Sequence, residues 1–538
     1  MVFARRSTTL LAAIIASCAM VLSLTACTSD NKTVVDGQTT VTSNSAGGVA
    51  VFTPSDGITL NQQTPLNKWA KLVPDLAKAL ADAGFKKGDI DHTTSDSLAK
   101  QSRAIQDFVV DHLSNNTTDD SGIAIAPDNM TLLVAPVVEA DASTRQYGDY
   151  VSQNLSTNDV TDGEATSDGE SSEDDSSNTE SDSTASDEQA QAVDRLVSSL
   201  KLAKESGMHV VLLGNSIEGY KPDAFVKFSD AQTIGKLQAE KMVSKLKLDK
   251  ASKDNPKYIE VLLPYTAVDE KGNANDSTFA QEAFRGIWQV LGFYYQKGVV
   301  ESPSGTLDGK STENDWQAVA YDAAKEGSTA KVLDKRLAKT DGQSTLTRID
   351  GIITMNDYIA SEVVKELDDL GYTGSAADIN PQITISGIVG NITGKKDLSR
   401  DAVPDPIKSP ENDNANDSSS SDDDADEDTS ASDKDRDSQW PLVTGYGAYV
   451  SNIPSIVNGK QWMTGMEDRQ TIATDIAQAC AKLNKDEALN SMPSIRNSEV
   501  GGVKKIPTIS EPLLAVSASN LKSALIDPGY ISLADAGL

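Results

Sequence analysis

Short runs of uninterrupted apolar residues, each followed by an amphipathic helical repeat, leave a chain few folds to adopt, because a strand apolar on both sides must be covered on both faces. The clearest unit lies between residues 349 and 370. Gly351-Ile352-Ile353-Thr354-Met355 reads as a strand, and Ile359, Val363, Val364, Leu367 and Leu370 follow at helical spacing up to Gly371. The order recurs along the chain. Val49-Ala50-Val51-Phe52 precedes a helix carrying Leu66, Trp69, Leu72, Val73, Leu76 and Leu80, which Gly84 closes. A helix from about Ser97 to His112 leads into the strand Leu132 to Ala135, and a helix with Val193, Leu196, Val197 and Leu200 leads through Gly207 into His209 to Leu213. Helix Gln232 to Leu246, strand Tyr258 to Leu263, helix Phe279 to Tyr295 and a helix around Trp316 to Lys325 continue the series. It is too long for one sheet and lacks the eight even units of a TIM barrel, which is the alternative. The expected class is α/β: two doubly wound, Rossmann-like parallel-sheet lobes joined by a hinge. In such sheets ligands meet the loops at the C-terminal ends of the strands.

The net charge of −32 is concentrated in two places. Asp159 to Glu188 holds 12 acids and no base, and Glu411 to Asp437 holds 12 acids against Lys434 and Arg436, so −22 of the total lies in these tracts. With almost nothing apolar, neither tract buries enough surface to offset chain entropy. Disordered insertions are expected at about 153–190 and 391–438. No Lys/Arg stripe remains elsewhere to suit a nucleic acid.

At the N-terminus, Arg5 and Arg6 precede an apolar run from Leu10 to Leu24, which ends in Leu24-Thr25-Ala26-Cys27. A basic start, a short apolar stretch and small residues before a cleavage point describe an export signal, too short to be a spanning helix. Leu-Thr-Ala-Cys resembles the bacterial lipoprotein signature, which implies a diacylglycerol on Cys27. Two acyl chains anchor a protein where one gives only marginal binding. The resemblance places the protein on the extracytoplasmic face of the cell membrane, with 1–27 as signal and lipobox and 28–47 as a flexible, small-residue stalk. Cys18 would leave with the signal and Cys27 would carry lipid, so Cys480 has no internal disulfide partner; its helical setting reads as a small buried apolar residue.

In their order, several local motifs resemble the type I periplasmic-binding-protein family, near the xylose and multiple-sugar binders of ABC importers. Val49 to Trp69 resembles the family's first strand and the loop ending in a basic residue and Trp, here Lys68-Trp69. Gln101, Ile105 and Leu132 to Pro136 resemble the second unit, and Phe228 to Gln238, with Asp230 and Gly235, resembles the segment that crosses between lobes. Asp276 to Gly286, Met355-Asn356-Asp357, Gly459 to Thr464 and Pro507 to Tyr530 resemble later family segments in sequence. The resemblance implies an N-terminal lobe of 48–227 plus about 464–510, and a C-terminal lobe of 228–463 plus about 511–538. It also implies a sugar or sugar-like ligand, an ABC transporter permease as partner, and no cofactor.

A sugar presents hydroxyls that donate and accept, and C–H faces that are mildly apolar. Its site therefore needs aromatic planes beside amides, carboxylates or cations. Trp69, Trp316 and Phe279 are the aromatic candidates, and Lys68, Asn215, Asp276 and Asn356 the polar ones. The bland alternatives are a core anchor for Trp69 and a helix N-cap for Asn356. Gly214, Gly447 and Glu467 stand where the family usually carries polar or oppositely charged groups, which implies a roomier, less charged pocket. Catalysis finds no motif: His92, His112 and His209 lack metal-ligand spacing, and neither a Gly-x-Ser-x-Gly elbow nor a Walker loop occurs. The expectation is a lipid-anchored solute-binding protein that is not an enzyme and holds no metal. A surface sugar sensor for a receptor, a surface glycoside hydrolase and a purely structural surface protein are the alternatives.

Overall fold

The computed structural model describes residues 46–55, 65–115, 129–138, 142–150, 153–156, 180–268, 277–323, 325–338, 346–376 and 437–538, with 34–35, 38–39 and 126. Cys27, Asp276 and most of both acidic tracts lie outside the described residues. The chain divides into two compact units, Met1–Asn44 and Ser45–Leu538. In the first, where a flexible stalk is expected, Val34–Val35 pairs antiparallel with Gln38–Thr39.

The second unit begins with strand β1 (Gly48–Pro54), helix α1 (Trp69–Asp82), β2 (Ile90–Ser95), α2 (Leu98–Asn115), β3 (Met130–Val134), α3 (Glu180–Glu205), β4 (His209–Leu213) and β5 (Ala224–Lys227). It continues with α4 (Ala231–Leu246), β6 (Lys257–Val261), α5 (Thr278–Gln296), β7 (Val300–Glu301), α6 (Ser328–Arg336), β8 (Gly351–Ile353), α7 (Asp357–Leu370), β9 (Leu442–Tyr446) and β10 (Met463–Met466). It closes with α8 (Arg469–Leu483), β11 (Ile495–Val500), β12 (Val503–Ser510) and β13 (Leu514–Ser517). These strands form two sheets, in the orders β11-β12-β5-β4-β3-β1-β2 and β7-β6-β8-β9-β10-β13. Only the β11–β12 and β10–β13 pairings are antiparallel.

Both faces of each sheet are covered, as the unbroken apolar strands require. In β1, Val49 and Val51 join a core with α1 and α8, while Ala50 and Phe52 face the opposite core with α2 and α3. In the second sheet Ile259, Val261 and Ile353 pack with α4 and α5, and Ile352 and Val443 pack with α6 and α7. Helices α4 and α5 approach backbone to backbone: a Cβ on Gly235 would lie 2.2 Å from the Ala283 carbonyl oxygen, and one on Gly286 2.0 Å from that of Gln232.

Three boundaries differ from those expected of the sequence. Helix α3 begins at Glu180, inside the tract expected to run unstructured to about 190; Ala190 and Ala192 favour helix. The helix expected over Trp316 to Lys325 stops at Val319, because Ala320–Tyr321 pairs in parallel with Leu263–Pro264. Met463–Met466 pairs with β9 and β13, so the chain leaves the second sheet only after Met466.

Candidate functional site

Among the described residues the chain passes between the two sheets three times, after β5, after β10 and after β12. The first two crossings are tied by one buried carboxylate. Glu467 accepts from the Ser229 amide at 2.7 Å, from the Ser229 hydroxyl and from the Tyr446 hydroxyl at 3.3 Å. Its own amide donates to Asn67 Oδ1 at 3.3 Å. Burial pushes the Glu467 carboxyl above its ordinary pKa, and the donors from Ser229 and Tyr446 pull the other way.

The first-lobe wall is built on the loop after β1. Lys68 precedes α1 without a side-chain cap; the cap comes from Asp149, whose carboxylate accepts from the Trp69 amide at 3.0 Å and from Lys68 Nζ at 3.2 Å. Trp69 is buried, with Tyr150 and Phe228 edge-on at 5.1 and 5.7 Å between ring centroids. Asn215, after β4, spends its amide on the backbone, donating to the Pro136 carbonyl at 2.9 Å and accepting from the Gln153 amide at 2.9 Å. Trp69 and Asn215 thus shape the wall from behind.

The second-lobe wall centres on the turn from β8 to α7. Met355 sits at φ 68°, a left-handed conformation that costs a residue with a Cβ energy and marks a constrained site. Gln238 Nε2 holds its carbonyl at 2.9 Å. Asn356 follows, buried, accepting from the Ile359 amide at 2.9 Å as the N-cap while its Nδ2 donates to Gln146 Oε1 at 3.1 Å. Asp357 is wholly buried and gathers Gln461 Nε2 at 2.7 Å, the Thr464 hydroxyl at 2.8 Å and the Tyr449 amide at 2.9 Å. Burial outweighs these donors and pushes its carboxyl up to about 6. Phe279, at the start of α5, and Trp316, edge-on to Tyr265 at 5.2 Å, are half-buried.

Between these walls lies a segment that sequence pattern did not single out. Gln146 Oε1 accepts from Asn356 Nδ2 at 3.1 Å, and the Gln146 carbonyl accepts from the Tyr449 hydroxyl at 2.7 Å. Tyr147 belongs to the second-lobe core, with its ring 4.7 Å from Phe279 and 6.4 Å from Tyr446. Tyr150, three residues on, belongs to the first-lobe core. Two tyrosines at this spacing, between an apolar strand and an acidic tract, are the signal that could have pointed to the segment. Asn67 was also missed: its Nδ2 is buried, with no hydrogen-bond partner among the described residues.

The structure therefore gathers Lys68, Asn356 and Phe279 around residues 146–149, sets Trp69 and Asn215 behind the first-lobe wall, and places Trp316 against Tyr265. Among the described residues, no group of three or more His, Cys, Asp or Glu is arranged to hold a metal ion, and no helix is long and apolar enough to cross a membrane.

No family model matches the chain, and no curated protein matches it. Among solved structures, an ABC transporter solute-binding protein from Clostridium phytofermentans with bound β-D-glucose is 17% identical, covers 91% of this chain and 99% of its own, and has a TM-score of 0.45. A carbohydrate transporter solute-binding protein from Chloroflexus aurantiacus, in complex with D-glucose, is 17% identical over 92% of this chain and 98% of its own, with a TM-score of 0.44. A sugar ABC transporter protein from Actinomyces odontolyticus is 10% identical over 89% and 97%, with a TM-score of 0.44.

Proposed function

We propose that the protein is a solute-binding protein, anchored by lipid at Cys27 to the outer face of the cell membrane, which captures a sugar or sugar-like ligand between its lobes and presents it to an ABC transporter permease. It binds and does not catalyse. The observation that carries this reading is the meeting of strand C-terminal ends from two parallel sheets, where Asn356, Lys68, Asn67 and the Phe279 ring gather around residues 146–149. Amides and a cation serve hydroxyls, and aromatic planes serve C–H faces. The sequence adds Asp276, outside the described residues, as a further polar candidate, with Trp69 and Asn215 as supports. Ligand contacts to both lobes exist only in the closed form, so binding shifts an open–closed equilibrium that the permease reads as a surface shape.

Calorimetry and thermal unfolding against a panel of mono- and oligosaccharides test this. A ligand at a hundred times its Kd adds about 2.7 kcal/mol to the stability of the folded chain and raises its melting temperature. A panel that gives neither heat nor any rise would overturn the reading. Globomycin-sensitive processing, and its loss on Cys27→Ser, tests the anchor separately.

A further inference from the structure

Residues 146–150 touch both lobes in opposite ways. On the first-lobe side the segment is built in: Asp149 caps α1, the Asp149 amide donates to the Asn67 carbonyl at 2.8 Å, and the Tyr150 hydroxyl donates to the Lys68 carbonyl while its ring stacks on Phe228 at 4.8 Å. Gly148 allows the turn. It sits at φ 98°, and a Cβ there would come within 2.6 Å of the Asn67 carbonyl oxygen. On the other side Gln146 and Tyr147 reach the second lobe, Gln146 Oε1 accepting from Asn356 Nδ2 and the Tyr147 ring packing against Phe279. The Tyr449 hydroxyl closes a second bond across the gap.

We propose that Gln146 and Tyr147 form a latch, anchored in the first lobe by Gly148 to Tyr150, which holds the two lobes together when no ligand is bound and must be displaced for a ligand to enter. A phenol ring buried among the side chains of the opposite lobe, plus two hydrogen bonds, gives the closed form interactions that the open form lacks, and a state is populated by such differences alone. Ligand then competes with the chain itself. Its apparent affinity is the intrinsic affinity multiplied by the fraction of molecules whose latch is out. That consequence rests on the sugar site proposed for this protein; the latch itself rests on the contacts of Gln146 and Tyr147 with the second lobe.

The test measures the distance between lobes. In the full chain with Cys18 and Cys27 replaced by Ser, spin labels at Lys78→Cys on α1 and Lys365→Cys on α7 report on the first and second lobes, both positions being exposed and Cys480 buried. Ligand-free protein with the native latch is expected to give one narrow distance distribution. Gln146→Ala/Tyr147→Ala is expected to give a broader one displaced from it, as opening frees the lobes. If that variant does not fold by circular dichroism, Gln146→Ala/Tyr449→Phe removes both cross-cleft bonds without truncating Tyr147, and is expected to shift the distribution in the same direction. Identical distributions in native and folded variant proteins, or a native distribution already broad, would overturn the latch whatever the sugar panel shows. A shifted distribution with no sugar bound would keep the latch and remove the sugar.

Discussion

Replacing Asp357 by Asn should flatten the dependence of stability on pH between about 4 and 6. The carboxyl is wholly buried at the end of β8, and its pKa is about 6 against an ordinary 3.8. A difference of one pKa unit corresponds to about 1.36 kcal/mol, so ionising this group costs the folded chain about 3 kcal/mol more than the unfolded one. The sign follows from a folded pKa above the unfolded value. Below pH 3.8 both states hold the proton and the contribution is fully present; between 3.8 and 6 the unfolded chain releases it first, and stability falls as pH rises. Above 6 the loss is complete. Asn carries no proton to lose, although its Nδ2 meets one of the donors from Gln461, Thr464 or Tyr449 and so lowers stability by a pH-independent amount. Glu467, also raised, titrates in both proteins and cancels in the difference. Urea unfolding followed by tryptophan fluorescence at pH 4, 5, 6 and 7 gives the two curves. Wild-type stability minus that of the variant should fall by about 2.4 kcal/mol between pH 4 and 7, most of the full 3 kcal/mol. Parallel curves, or a difference that grows in favour of the wild type as pH rises, would refute the claim that burial outweighs the donors.

Trp69→Ala should cost about 3–5 kcal/mol in denaturant unfolding, since the indole is buried between Tyr150 and Phe228 and leaves a cavity; a loss confined to ligand binding would contradict its place behind the wall. Gly235→Ala drives a methyl to within 2.2 Å of the Ala283 carbonyl oxygen and should cost about 1–3 kcal/mol or more, read as a lower urea midpoint with unchanged slope. Asn356→Ala removes the cap of α7 and should cost about 0.5–2 kcal/mol, while amide exchange at Ile359 and Ala360 accelerates.

Much of the architecture was legible in local pattern. α4, α5 and α7 fall within a few residues of the apolar repeats, and Gly84, Gly207 and Gly371 take the positive φ expected where helices end. The β11–β12 hairpin was missed although Gly501-Gly502, at φ 54° and 77°, is a two-residue turn signal; the alternation in β11 leaves its middle residues partly or fully exposed, which weakens the apolar run. β7 and β9 escaped for other reasons. Two residues are too few to show a period, and Leu442 to Tyr446 stands directly after an acidic tract.

The cleft divides differently. Asn356 and Phe279 were found because a residue at a strand end or helix start has a local signature. Gln146 and Tyr147 carry only the Tyr147/Tyr150 spacing: their function comes from residues about 130 to 300 positions later along the chain that folding brings opposite them. The cap on α1 is likewise an aspartate 80 residues away, outside any capping window.

The sequence by itself determined two wound sheets and the glycines that turn the chain between their elements, since strand and helix periodicity are properties of neighbouring residues. Only the tertiary structure decided that Trp69 is covered, that Asn215 binds backbone, and that the chain's own Tyr147 lies against Phe279. Those outcomes depend on which surfaces meet once both sheets have formed, and burial and pairing across a cleft are not encoded in any one stretch of residues.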